Sequence, residues 1–103
     1  MELRVLNYFV ATAQELNMTR AAQKLLVSQP ALSRQIADLE DELGVKLFNR
    51  QPRHLTLTPA GQYLYEQAKE ILTLASKTKS NLQSSAVISG DLTIAAGESF
   101  AMQ

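Results

Sequence analysis

The stretch that decides the fold is A-A-Q-K-L-L-V-S-Q-P-A-L-S-R-Q-I-A-D-L-E-D-E-L-G, residues Ala21 to Gly44. Ser28 is a good N-cap, and Pro30 is tolerated in a first helical turn because its missing N–H has no helical partner there. Leu32, Ile36, Leu39 and Leu43 then recur at helical spacing, and Gly44 supplies a stop able to take positive φ. Upstream, Asn17 offers an N-cap for a helix over Met18–Leu26, with Ala22, Leu25 and Leu26 facing inward. Val27-Ser28 becomes a tight turn between two helices. A second helix with its polar face free makes this a helix-turn-helix, in which that helix lies in a major groove with its N-terminal residues leading.

The flanks fit around this unit. Leu3, Leu6, Val10 and Ala13, with Phe9 and Leu16 beside them, form the apolar stripe of a first helix over Leu3–Leu16. After Gly44, Leu47-Phe48 opens a short strand, and Leu55 and Leu57 alternate with Thr56 and Thr58 in another. Gln51-Pro52-Arg53-His54 between them is a loop tip, since proline cannot continue a ladder. Thr58-Pro59 starts a fourth helix that should run to about Ser84. Its Leu64, Ala68, Ile71, Ala75, Thr78 and Leu82 alternate spacings of four and three, the repeat of a coiled-coil seam. A helix on the order of 40 Å long cannot bury that stripe on so small a domain, and so calls for a second chain. Beyond a hinge ending at Gly90, Leu92, Ile94 and Ala96 alternate as in a strand, which is not stable without a partner. The expectation is that the chain stops at the threshold of a second domain.

The chain has 103 residues and no cysteine, which excludes disulfides and thiolate metal sites and suits a reducing cytoplasm. The N-terminus lacks the marks of a signal peptide, and no apolar run is long enough to span a bilayer. The formal net charge is zero, but the distribution is uneven. Between Asn17 and Ala37 the charged residues are Arg20, Lys24 and Arg34. Between Gly44 and Thr58 they are Lys46, Arg50 and Arg53. Asp38, Glu40, Asp41 and Glu42 form an acidic knot between these stretches. A neutral chain can thus present a local positive field of the kind that steers a polyanion, although solvated surface charge has the same appearance.

The residues that open the helix after Ser28 carry the chemistry. Gln29 can hold adenine by two hydrogen bonds, Arg34 can fork onto guanine, Ser33 can serve either, and Pro30 can touch a thymine methyl. Against this, Ser28 and Pro30 start a helix whatever its function. An enzyme is not indicated: the lone histidine, His54, has no orienting partner and sits on a loop, where it is a solvated residue or a phosphate neighbour. The acidic knot lies in a helical pattern and not in a calcium loop. No metal or cofactor is called for. A protein-interaction module, with the long helix as its working part, remains an alternative, but it has no need of Arg34, Arg50 and Arg53 around one surface.

From Ala21 to Arg50 (A-A-Q-K-L-L-V-S-Q-P-A-L-S-R-Q-I-A-D-L-E-D-E-L-G-V-K-L-F-N-R) the chain resembles the LysR-type bacterial transcriptional regulators. The following L-T-L-T-P-A-G, Leu55 to Gly61, matches the family's end of wing and start of linker helix, and Gly90 to Ile94 its entry into an effector domain. The resemblance covers essentially the whole chain and is departed from at Asn17-Met18, where the family usually has Ser-Phe. It implies a mainly α fold: a winged helix-turn-helix over residues 1–58, a dimerising linker helix over 59–88, and over 89–103 a hinge and truncated first strand of an effector-binding domain.

By that resemblance Gln29, Pro30, Ser33 and Arg34 read bases. Thr19, Arg20 and Ser28 touch the backbone, and Arg50, Arg53 and His54 place the wing near the minor groove. The implied partners are double-stranded DNA bearing an interrupted inverted repeat, and a second copy through the linker helix, with a tetramer for the full-length protein. A small-molecule effector would bind only with the C-terminal domain. The related winged domain of molybdate-responsive regulators is the alternative within DNA binding.

Overall fold

A computed structural model describes residues 1–84. Its element order is α1 (Leu3–Glu15), α2 (Met18–Leu25), α3 (Gln29–Leu43), β1 (Phe48–Gln51), β2 (His54–Leu57) and α4 (Pro59–Leu82). The expected strand after Gly90 and the hinge before it lie outside the described residues. A first compact unit spans Met1–Leu72 and so takes in the first half of α4, while Thr73 onward belongs to a second.

Helices α2, α3 and α4 each start at a polar side chain that caps them, whereas Glu2 before α1 makes no cap hydrogen bond. The Asn17 side chain accepts a 2.8 Å hydrogen bond from the Arg20 N–H, and Ser28 Oγ accepts one of 3.2 Å from the Ala31 N–H. Thr58 Oγ1 accepts from the Gly61 N–H at 2.9 Å. Such caps satisfy N–H groups that the helix itself leaves open. The ends are less ordinary. Gly44 closes α3 at φ 71°, as expected. Leucines do the same work at the ends of α1 and α2: Leu16 at φ 49° and Leu26 at φ 60°. The Leu26 turn places the next N–H, that of Val27, on the Ala22 carbonyl at 3.0 Å. It also throws the Leu26 side chain outward, 91% exposed, so Leu26 does not face inward as the helical spacing suggested. The left-handed turn breaks the periodicity one residue before the sequence pattern does.

The core of the first unit lies among α1, α2 and α3, with the start of the wing and α4 laid over it. Leu6, Phe9, Leu32, Ile36, Leu39 and Leu47 are all nearly or fully buried there. Phe48 is buried too and meets Phe9 in a tilted ring pair with centroids 5.5 Å apart. Thr12 is the buried hydroxyl of α1 and donates to the Tyr8 carbonyl at 2.8 Å, so its polar atom is satisfied. Leu3, Leu16 and Leu43, at the ends of the expected stripes, remain substantially exposed. Strands β1 and β2 pair antiparallel from Phe48↔Leu57 to Gln51↔His54. Gln51 and His54 are therefore the last ladder pair, and the turn is only Pro52-Arg53, with Arg53 at φ 63°. Proline followed by a positive φ is the pattern of a type II turn.

The start of α4 is fastened to the segment before the wing. The Thr58 N–H donates to the Leu47 carbonyl at 3.0 Å, and its hydroxyl donates to the Lys46 carbonyl at 2.6 Å. Gly61 then passes so close that a Cβ there would overlap the Leu47 carbonyl oxygen and come within 2.9 Å of Leu57 Cδ2. One turn further Leu64 is half-buried against the core, and about two turns further Ala68 is fully buried. This corrects the expected seam, because Ala68 is occupied by its own domain. Of the other seam positions, Ile71, Thr78 and Leu82 are exposed and Ala75 is half-buried. No helix of the described residues is long and apolar enough to cross a membrane.

Gly61→Ala should destabilise the domain by about 1–3 kcal/mol, because the neighbour that must give way is backbone. Chemical denaturation with unchanged slope and a lower midpoint is the expected result.

Candidate nucleic-acid interface

Three chain segments converge on one face of the first unit: the Leu16–Thr19 corner into α2, the first turns of α3, and the wing. They line a groove of about 400 Å³ made by Leu16, Asn17, Met18, Thr19, Gln29, Ser33, Arg50, Gln51, Arg53, His54 and Leu55. Leu16, Met18 and Leu55 contribute its apolar surface, and no acidic residue lines it. Thr19, Gln29, Ser33, Arg50, Arg53 and His54 were expected from the sequence, and the fold brings these six together although they span 36 positions of chain, 19 to 54. Pro30, Arg34, Arg20 and Ser28 fall outside the groove lining, and all four are exposed. Leu16, Met18, Gln51 and Leu55 are groove residues that the sequence reading passed over. Their spacing marks them as core or turn, and only the left-handed end of α1 and the length of the wing put them here.

The local chemistry suits a polyanion. Arg34 and Arg53 have no ion pair among the described residues. Ser28 uses an oxygen lone pair to cap α3, which leaves its hydroxyl hydrogen free to donate. Arg20 and Lys24 both lie against Glu15, at 3.6 and 3.0 Å.

Arg50 is more constrained than a free wing cation. Its guanidinium donates to Glu40 Oε1 at 3.1 Å, while Glu40 Oε2 accepts from the Leu47 N–H at 2.7 Å and the Phe48 N–H at 3.3 Å. Glu40 is only 2% exposed. The acidic knot is thus not one solvated cluster: Asp38, Asp41 and Glu42 are exposed, and Glu40 turns inward to tie α3 to the wing. A buried carboxylate is tolerable only when its lone pairs are met, and here three donors meet them. Arg50 serves first as the counter-charge of Glu40, and it also lines the groove.

Among the described residues no three His, Cys, Asp or Glu side chains gather to hold a metal ion. A shallow groove between two helix starts and a basic hairpin can instead take an elongated anionic surface.

Known proteins share this architecture. Residues 3–62 match the family described as bacterial regulatory helix-turn-helix protein, lysR family. The regulator BudR of Klebsiella aerogenes is 55% identical over 75 residues, which are 73% of this chain and 52% of that protein. The Hca operon transcriptional activator HcaR of Escherichia coli (strain K12) is 54% identical over 79 residues, 77% of this chain and 27% of the activator. The chain therefore spans about half or less of these relatives. Among solved structures, the BenM DNA-binding domain in complex with benA site 1 DNA superposes with a TM-score of 0.81 at 43% identity, covering 87% of this chain and 99% of that one. The CbnR DNA-binding domain in complex with DNA gives 0.79 at 44%, covering 84% and 99%. The fold is thus a winged helix-turn-helix.

Glu40→Ala would strand two buried N–H groups and free Arg50, and should lower stability by about 2–4 kcal/mol. In a double-mutant cycle the loss should be strongly non-additive with Arg50→Ala. Independent, additive losses would show that the two side chains are not coupled.

Proposed function

The chain belongs to the lysR family of bacterial regulatory helix-turn-helix proteins, and from that membership we propose that it is the sequence-specific, double-stranded DNA-binding domain of a transcriptional regulator. The observation that carries this reading is the groove in which Gln29 and Ser33 of α3, Thr19 of α2 and the wing residues Arg53 and His54 meet with no acid among them. The start of α3 enters the major groove, where exposed Gln29, Pro30 and Arg34 and half-buried Ser33 reach base edges. Thr19, Arg20 and Ser28 hold phosphates on either side. The wing tip approaches the neighbouring minor groove through Arg53, with Arg50 and His54 behind it. Pairing with solved DNA complexes of similar domains supports this placement.

Two copies act together through α4. Within the first unit Ile71 is 37% exposed, and in the second Leu74 and Leu82 are 64% and 58% exposed. Apolar side chains left uncovered at helical spacing favour a second chain. Two-fold pairing presents two α3 helices to an interrupted inverted repeat. The full-length regulator adds an effector-binding domain after the linker helix, responds there to a small molecule, and assembles further into a tetramer in the cytoplasm. The present chain does no chemistry of its own.

Selection from random duplexes at two salt concentrations tests the reading: an interrupted palindrome should be enriched, and salt-sensitive binding without enrichment would remove sequence specificity from this chain. On the selected site Arg34→Ala should cost about 1–3 kcal/mol and relax preference at one base pair. Arg53→Ala should weaken all sequences alike and make the salt slope shallower by about one unit.

Charged substitutions at the uncovered α4 positions, Ile71→Glu with Leu82→Glu, should shift sedimentation toward the monomer while helical content is retained. An unchanged dimer would place the contact elsewhere.

A further inference from the structure

Glu15 is the last residue of α1. Its side chain is 23% exposed, and each carboxylate oxygen faces a different cation of α2. Oε2 accepts a 3.0 Å hydrogen bond from Lys24 Nζ. Oε1 lies 3.6 Å from Arg20 Nε, within electrostatic reach but beyond a good hydrogen bond. Arg20 and Lys24 are four residues apart, one turn along the same helix face, and their side chains are 64% and 60% exposed. Arg20 directly follows Thr19, which lines the groove. Two cations beside the interface therefore share one carboxylate, leaving a single net positive charge where two would otherwise stand.

We propose that Glu15 is a positioning residue that competes with DNA phosphate for Arg20 and thereby limits the sequence-independent part of DNA affinity. The proposal rests on the DNA-binding reading above. Phosphate contacts raise affinity through counterion release and carry no base information. A carboxylate already seated on the cation must be displaced before phosphate can take it, and like-charge repulsion between Glu15 and the incoming phosphate adds to the opposition. Arg20 is the more readily withdrawn of the two partners, because Lys24 holds the shorter contact. The neutral chain can in this way keep an acid-free groove and still bind random DNA weakly.

The test is titration of a random-sequence duplex with the wild-type chain, Glu15→Gln, Glu42→Gln, Arg20→Ala and the Glu15→Gln/Arg20→Ala pair, each over a range of salt. Glu42 pairs with the chain's N-terminal ammonium and serves as a control that removes the same charge elsewhere. Glu15→Gln should bind about two- to fivefold tighter at low salt, the range expected from releasing an exposed pair. Its salt slope should steepen by up to about one unit per chain. Arg20→Ala should abolish that gain, and Glu42→Gln should produce less than half of it. Equal gains from Glu15→Gln and Glu42→Gln would reduce the effect to net charge and overturn the proposal. So would a gain that survives Arg20→Ala, or no gain at all. A wild-type chain that binds no duplex at any salt would remove the DNA-binding reading itself, an outcome distinct from a wild-type binder with an inert Glu15.

Discussion

The arrangement of the first unit depends on the buried carboxylate of Glu40. Lys46 and Leu47 have no regular structure of their own and Phe48 opens β1, yet every later element is positioned from these three residues. On one side Glu40 takes the N–H groups of Leu47 and Phe48. On the other, Thr58 bonds the carbonyls of Lys46 and Leu47. The segment is thereby clamped between α3 and the start of α4, and the hairpin between them is directed by its base. Burying the charge has a large desolvation cost, which the two N–H donors and Arg50 must offset together. That requirement draws Arg50, a wing residue, toward α3. It couples the element that would read bases to the hairpin that would touch the neighbouring groove.

The same interaction shows where a sequence is readable and where it is not. Caps are local, so Ser28 with Pro30, Gly44, and Thr58 with Pro59 could be read directly, and with them the helix-turn-helix, the wing and the start of α4. The role of Glu40 is not local. Its partners lie seven to ten residues away, and in the string it is one acid among four. Ala68 was misjudged for a related reason. A repeat of four and three shows that a helix has an apolar stripe, but not whether its own domain or another chain covers each position. Gly61 decides the matter locally, since its close approach to Leu47 brings the first half of α4 onto the core. Leu16 and Leu26 were hidden by chemistry. Left-handed helix ends are signalled by glycine, and leucine there conceals both the stop and the outward turn of its side chain.

Net charge was a poor guide for a physical reason as well. The sum of zero only balances ten acids against ten Lys and Arg, and it hides that some of those acids are engaged with particular cations: Glu40 with Arg50, Glu15 with Arg20 and Lys24, and Glu2 with Arg4. Neutralisation at contact distance leaves only a weak, short-ranged field, which salt screens further. What a polyanion meets is the remainder. On the groove side that remainder is Arg53 in the lining, Arg34 nearby, and the exposed parts of paired cations. The exposed acids Asp38, Asp41 and Glu42 lie in the second half of α3, away from its first turns. Position along one helix thus separates charges that composition adds together.

The wing tip shows how local stability and surface chemistry are weighed in one residue. A two-residue turn after Pro52 demands a positive φ, and Arg53 occupies it at 63°. For a residue with a Cβ this conformation costs about 1–2 kcal/mol, which glycine would avoid. The same position lines the groove and carries a cation with no ion pair among the described residues. The turn fixes where the backbone of the tip points, and the side chain extends a charge from it. Glycine would satisfy the turn and leave the tip of the wing uncharged. With Arg50 held by Glu40, Arg53 is the cation of the hairpin that can be given wholly to a ligand, and the strain is stored at the point where that charge is presented.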